Sequence, residues 1–239
     1  MSTGEHWQGI YTKRAATEVG WYEPDPVLSR RLVGAAIEDG AASVIDVGGG
    51  ASYLVDHLLD SGIGRIAVLD ISEAALDVAR ERLGERGAAV EWLVGDVTAI
   101  AQVGDFDVWH DRAVFHFLLE PGDRRRYIEL AERSVPPGGS AVVATFSHEG
   151  PETCSGLPVH RWEPDELADE LGSGWRLMTS ERHLHTTPGG KDQAYVYCRF
   201  RRLGGQAHPL PTPADDSLAW NVSRSHSGKP EESRVSTER

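Results

Sequence analysis

Three aspartates each close an apolar run: Asp46 in SVIDV, Asp70 in RIAVLD, and Asp96 shortly after AVEWLV. Three consecutive glycines, Gly48 to Gly50, follow the first of them before a helical pattern begins. Glycine admits positive φ and lets a ligand approach the backbone without meeting a Cβ. The helix that follows would offer free N–H groups at its positive end. Such a turn can cradle a pyrophosphate, whose fingerprint is G-x-G-x-x-G, but counting from Gly48 puts Tyr53 where the third glycine belongs. A carboxylate at Asp46 would also repel a pyrophosphate, whereas it suits ammonium and sulfonium charges. The sign of the charge therefore favours a cationic nucleoside. Asp70 is placed to accept from both ribose hydroxyls, a device that nicotinamide enzymes share. Asp96 is placed to accept from an adenine amino group, with Val97 beneath the ring. A lone aspartate at a strand end is most often a turn former or helix cap; three closing successive strands are not explained that way.

A second cluster lies in WHDRAVFHF, residues 109–117. If this turn is helical, Arg112 and His116 share a face. Arg112 would then stabilise an anionic substituent, His116 or His110 would take a proton, and Asp111 would orient a histidine or a substrate group. The plainer alternative is an Asp111–Arg112 ion pair beside a core histidine. His183 and His185 alternate along an expected strand, yet no Cys/His/carboxylate set completes four ligands, so no metal site is expected. His148 and Cys154 follow the fifth apolar run and are within reach of a substrate.

The elements that must position these residues alternate. SVIDV (43–47), RIAVLD (65–70), AVEWLV (89–94), FDVWH (106–110) and SAVVATF (140–146) read as buried parallel strands. Between them, SYLVDHLLDSG carries an apolar stripe ended by Gly62, and SEAALDVARERLG has Ser72 as N-cap and Gly84 as stop. RRRYIELAERSV runs into the Pro-Pro-Gly-Gly breaker at 136–139. Repeated alternation of this kind builds a doubly wound α/β sheet. WRLMTSERHLH and QAYVYCRF, joined through TPGGKD, form a strand pair that adds an antiparallel edge. Before the first strand, Trp7 and Tyr11 share a helical face, VLSRRLVGAAIE (27–38) has a core-facing stripe, and GWYEPDP is an aromatic-loaded turn. These aromatics are either plain core or a lid over the strand ends.

The chain has 239 residues and a net charge of -13, with no basic run suited to a phosphate backbone, so nucleic acid is not expected as a partner. No stretch approaches a membrane span, and the N-terminus lacks signal-peptide character. Two cysteines are too few for a disulfide framework. A cytoplasmic location is expected. The expected division is a helical lid over 1–40, a cofactor-binding domain over 41–203, and a flexible tail over 204–239.

Together, VIDVGGGAS, VLDIS, VGDV and FDVWHDRAVFHFL resemble the class I S-adenosylmethionine-dependent methyltransferases over about residues 40–200. The family's D-x-G-x-G-x-G pattern is kept at Asp46, Gly48 and Gly50 and departs at Ser52. The resemblance implies a Rossmann-like, seven-stranded, mostly parallel sheet with an antiparallel C-terminal edge strand. It implies S-adenosylmethionine as cofactor, with Asp46, Gly48 and Gly50 around the methionine part, Asp70 at the ribose, and Asp96 with Val97 at the adenine. Trp7, Tyr11, Ile71 and His110 complete the expected cofactor-binding set. HDRAVFHF, PGDRRRYIEL and GPETCSGLPVHRWEPDELADEL look like the thiopurine and small-thiol S-methyltransferases, which implies a small thiol as methyl acceptor and Asp111, Arg112 and His116 in its pocket. The alternatives are O- or N-methylation of a small molecule, methylation of a protein lysine, and a non-catalytic protein that binds the cofactor. A nicotinamide oxidoreductase is disfavoured by the missing third glycine and the placement of Asp46.

Overall fold

The computed structural model describes residues 3–204. The tail expected over 204–239 lies outside the described residues, apart from Gly204. Seven strands form one sheet: β1 (Ser43–Val47), β2 (Arg65–Asp70), β3 (Val90–Val94), β4 (Val108–Arg112), β5 (Ser140–Phe146), β6 (Trp175–Thr186) and β7 (Asp192–Arg202). Their order is β3-β2-β1-β4-β5-β7-β6. β1 to β5 are mutually parallel. β7 runs antiparallel to β5, and β6 pairs antiparallel with β7, so the C-terminal hairpin supplies one edge of the sheet.

Six helices flank the sheet: α1 (Thr3–Lys13), α2 (Val27–Glu38), α3 (Leu54–Asp60), α4 (Glu73–Leu83), α5 (Pro121–Ser134) and α6 (Pro164–Leu171). Each face has its own apolar core. Leu32, Val33 and Ala36 of α2, Leu54 and Leu58 of α3, and Leu76 of α4 pack on one side with Val44, Val68 and Phe146. Tyr127 and Leu130 of α5 and Leu167 and Leu171 of α6 pack on the other with Ile45, Trp109 and Val143. Local signals set the helix ends. Ser72 Oγ accepts from the Ala75 N–H at 3.2 Å. Pro121 starts α5 in its first turn, where its missing N–H is not needed, and Glu163 with Glu166 forms a capping box on α6.

β4 differs most from its expected span. β4 covers 108–112 rather than 106–110, because Asp111 and Arg112 pair with Val143 and Ala144 of β5. This puts Asp111 and Arg112 on a strand rather than a helix, so their side chains leave opposite faces of the sheet. The strand order reverses between β1 and β4, and a crevice above their carboxyl ends is where such sheets take ligands. The register sets Asp46 of β1 directly beside His110 of β4. No helix among the described residues is long and apolar enough to cross a membrane.

Candidate functional site

Two cavities open at the reversal point. The larger, about 230 Å³, is walled at one end by Asp70, Ile71, Asp96 and Val97, and at the other by Trp7, Phe117, Arg112 and Cys154. The smaller, about 50 Å³, lies over β1 and β4 and is bordered by Asp46, His110, Glu23 and Tyr53. Tyr11, Trp21, Gly48 and Arg112 line both and form the partition. Of the residues expected to hold a cofactor, Trp7, Tyr11, Gly48, Asp70, Ile71, Asp96 and Val97 line the larger space, while Asp46 and His110 line the smaller.

The glycine turn is shaped by what surrounds it. Gly48 has φ +67, and a Cβ there would lie 2.0 Å from Val114 Cγ2. At Gly50, φ +40, a Cβ would meet Asp70 Oδ2 at 2.8 Å. Both positions therefore need a residue with neither side chain nor a left-handed penalty. Gly50 borders Asp70 from behind rather than lining a cavity.

Burial pushes the Asp70 carboxyl up to about 7, and the Asp46 charge adds to this, against pulls from the N–H groups of Ser72, Ile71 and Gly50. Asp70 Oδ1 accepts from the Ser72 N–H at 2.8 Å. Asp96 Oδ1 accepts from the Thr98 N–H and hydroxyl at 2.8 and 2.7 Å, a local turn that holds the carboxylate at the cavity wall. Asp46 is 2% exposed. Its Oδ1 lies 2.7 Å from His110 Nδ1, and His110 Nε2 lies 2.9 Å from Ser29 Oγ. His110 thus bridges Asp46 of β1 to Ser29 of α2. Asp46 Oδ2 is buried with no partner in the protein. An orphaned carboxylate oxygen beside glycines that no Cβ may fill fits a cationic nucleoside here.

The roof comes from the N-terminal segment. α1 buries none of its residues. It is fastened by Gln8, whose Oε1 accepts from the Ser72 hydroxyl and the Ala74 N–H at 3.0 and 3.1 Å. Trp7 stands edge-on to Trp21 and to Phe117, with ring centroids 5.4 and 5.1 Å apart. Trp21 Nε1–H donates to the Tyr11 hydroxyl at 2.9 Å. Burial and the Asp70 charge raise the Tyr11 phenol above its ordinary value.

The cluster after β4 is arranged differently from the sequence-based expectation. Asp111 is fully buried; it accepts from the Tyr127 hydroxyl at 2.7 Å and from the N–H groups of Val114 and Phe115 at 2.8 and 3.0 Å. Burial pushes it up to about 6, against those hydrogen bonds. It borders neither cavity: it orients the turn, not a substrate. Ala113 follows in the left-handed region at φ +72, and Phe115–Phe117 forms a 3-10 turn. Arg112 and His116 consequently do not share a helical face. His116 is fully buried, its Nδ1 accepts from the Phe146 N–H at 3.4 Å, and burial, with the Arg112 charge, pushes it down to about 3. It is a neutral core imidazole outside both cavities, so its expected place in an acceptor pocket is corrected. Arg112 does reach both cavities. Its Nε donates to the Tyr197 hydroxyl at 2.9 Å, its Nη1 to the Trp21 carbonyl at 3.0 Å, and its guanidinium lies 4.9 Å from the Tyr195 ring centroid. Arg112 pairs with Glu23, not Asp111, at 3.3 Å.

Sequence reasoning passed over Gln8, Glu23, Ser29 and Phe117. Glu23 lay in the aromatic turn already singled out, while Ser29 carries no local signal of its contact with His110. His185 Nε2 lies 2.9 Å from the Gly20 carbonyl oxygen and His183 Nε2 lies 3.6 Å from Glu23. These two histidines brace the loop before α2. Among the described residues no cluster could hold a metal ion. Cys154 and Cys198 are free and buried, and burial pushes both thiols up to about 12.

Residues 44–139 match a family model described as a methyltransferase domain. The chain is 33% identical over 109 residues to the ubiquinone/menaquinone biosynthesis C-methyltransferase UbiE of Methylobacterium nodulans, covering 44% of this chain and 42% of that protein. It thus spans less than half the length of that curated relative. Among solved structures, one reported under "Conversion of a Disulfide Bond into a Thioacetal Group during Echinomycin Biosynthesis" superposes with a TM-score of 0.67 at 22% identity, over 86% of this chain and 94% of that one. The N-methyltransferase NodS from Bradyrhizobium japonicum, in complex with S-adenosyl-L-homocysteine, superposes with a TM-score of 0.59 at 16% identity, over 75% and 89%. At these identities the two structures speak for the fold alone.

Proposed function

We propose that the chain, whose residues 44–139 match a methyltransferase domain, is a class I S-adenosylmethionine-dependent methyltransferase that methylates the sulfur of a small thiol. When bound, S-adenosylmethionine supplies an electrophilic methyl group on a sulfonium. Asp70 would accept from the ribose hydroxyls, Asp96 from the adenine amino group with Val97 under the ring, and Asp46 Oδ2 from the ammonium.

The observation that carries the sulfur reading is the composition of the opposite end of the larger cavity. Trp7, Trp21, Phe117, Leu118 and Cys154 line the cavity together with Arg112 and Asp123, and no histidine does. His116, the expected base, is sealed beneath it. Thiols ionise near ~8.5, so a useful thiolate fraction exists near neutral pH without a protein base, whereas hydroxyl and ammonium acceptors need one. An aromatic wall also suits a soft, polarisable sulfur. The echinomycin structure, reported for the conversion of a disulfide bond into a thioacetal group, shares the fold and makes sulfur the first acceptor to try. The N-terminal segment acts as the lid: α1 carries Trp7 and Tyr11 over the cavity and is held to α4 by Gln8 and to the loop before α2 by the Trp21–Tyr11 hydrogen bond.

The test is to incubate the protein with S-adenosylmethionine and matched panels of thiols, phenols and amines, measuring S-adenosylhomocysteine. Turnover is expected with thiols only, with rates that follow the acceptor's own ionisation. Turnover with phenols or amines and none with thiols removes the sulfur reading.

A further inference from the structure

Among the described residues that line the larger cavity, Arg112 alone keeps a buried side-chain nitrogen, Nη2, without a hydrogen-bond partner. Arg112 is also the one cationic side chain on that lining. A buried donor left unmet costs free energy, and a charged one costs more than a neutral one. Its complement is an anionic oxygen.

That oxygen has to arrive from the larger cavity. Asp46 and Glu23 border the smaller one, each with a buried carboxylate oxygen that lacks a partner, so an anion placed there would be repelled. The carboxylates lining the larger cavity are already engaged: Asp70 by the Ser72 N–H, Asp96 by Thr98, and Asp123 by Arg126. Asp70 ends β2 and Asp96 follows β3, while Arg112 ends β4, with β1 between them in the sheet. Two strand spacings set the backbone of Arg112 about 10 Å from that of Asp70. The nucleoside and Arg112 therefore occupy different strand ends.

We propose that the methyl acceptor carries a carboxylate and that Arg112 selects it through Nη2. This rests on the small-thiol reading above and narrows it to acidic thiols. A thiol sulfur is a weak hydrogen-bond acceptor, so a carboxylate oxygen, and not the reacting sulfur, is the complement of Nη2. Trp7, Trp21 and Phe117, on the same lining, take the acceptor's apolar body. Arg112 is held before any ligand arrives. Nε donates to the Tyr197 hydroxyl, Nη1 donates to the Trp21 carbonyl, and the guanidinium lies over the Tyr195 ring. Glu23 sits 3.3 Å from Nε, and the pair still leaves Nη2 unmet. A planar guanidinium can be fixed in this way, whereas the rotating point charge of a lysine cannot. Such preorganisation lets a charged group discriminate rather than merely attract.

The experiment compares para-mercaptobenzoate with para-mercaptobenzamide, which share an aryl thiol and a shape and differ in charge. Calorimetric titration of the whole chain, loaded with S-adenosylhomocysteine, reads binding without turnover. The carboxylate is expected to bind about 30-fold more tightly than the carboxamide. In Arg112→Gln that preference should fall to within about twofold, and Arg112→Lys should restore only part of it. S-adenosylhomocysteine affinity should stay within about threefold in both variants. Equal wild-type affinity for the two thiols, or none for either, overturns the assignment, and that comparison needs no variant to fold. A loss of S-adenosylhomocysteine affinity in Arg112→Gln as large as the loss of the carboxylate overturns it too. Turnover is read separately: para-hydroxybenzoate methylated in preference to its amide, with neither thiol a substrate, removes the sulfur reading and keeps Arg112 as the carboxylate's partner.

Discussion

At the end of β2, Asp70 lies where the parallel register puts it, bent around by the Ser72 N–H and facing the cavity. At the end of β4 the same rule gives the opposite result. Asp111 and Arg112 are consecutive strand residues, so one faces the α5 core and the other the cavities. Asp111, bonded to Tyr127, Val114 and Phe115, shapes a turn whose next residue but one is held left-handed. Two acidic strand ends of one sheet thus sit differently: one presents its carboxylate to a cavity, the other uses it up inside the protein. Backbone N–H groups reach both carboxylates; what separates them is the buried Tyr127 phenol, which bonds Asp111 alone, and the cavity, which Asp70 alone borders.

Three measurements would break or sharpen that contrast. The largest effect is expected from Asp70→Ala, which removes the acceptor for two ribose hydroxyls. At about 1.5–3 kcal/mol for a hydrogen bond to a charged group, S-adenosylhomocysteine affinity should fall about 100-fold or more in calorimetry. A small loss would mean that Asp70 is as structural as Asp111.

Tyr127→Phe addresses the other side. It withdraws one donor from buried Asp111 and should cost about 1–3 kcal/mol of stability. The sign of its pH dependence follows from Asp111, whose folded pKa, about 6, lies above the unfolded value. Ionisation is already disfavoured in the folded state, and losing the phenol disfavours it further. The deficit should therefore be largest at pH 8, shrink as pH falls toward about 6, and level off below it, where Asp111 is protonated in both folded proteins. Thermal melts at pH 8 and pH 5 read it directly. S-adenosylhomocysteine affinity at pH 8 should stay within about twofold, as Asp111 borders no cavity. A loss as large as that of Asp70→Ala would erase the distinction.

The smallest effect is a pH swing in the wild type. Ribose hydroxyls donate to Asp70, so the ligand prefers the ionised carboxylate and binding lowers its pKa from about 7. Affinity should rise with pH, by about tenfold between pH 6 and pH 8, and the slope should vanish in Asp70→Asn. A wild-type affinity that is flat over this window would show that the ribose does not bear on Asp70.

Legibility in the sequence followed the range of the interactions. β1, β2 and β5 have the spans that their apolar runs predict, α2 matches its stripe, and Ser72 caps α4, because each depends on residues within a few positions. The aspartates at the strand ends could be found because a parallel sheet brings those ends together. The end of β4 could not be read in the same way. Nothing in HDRAVF signals that alanine takes φ +72, and helical spacing between Arg112 and His116 has no meaning once the chain leaves a strand through a left-handed turn. The Asp46–His110–Ser29 chain joins residues 64 and 81 positions apart, and only the assembled β1–β4 register with α2 against it creates that chain.

The missing side chain at Gly48 has a further consequence. With Val114 Cγ2 standing 2.0 Å from where its Cβ would be, the loop after β1 and the loop after β4 interlock like a tongue in a groove. Neither can be lengthened or reshaped independently, so an engineer who wishes to transplant the acceptor loop into another scaffold must carry the glycine turn with it. Libraries aimed at new acceptors should leave Val114 alone and vary Leu118 and Cys154 instead.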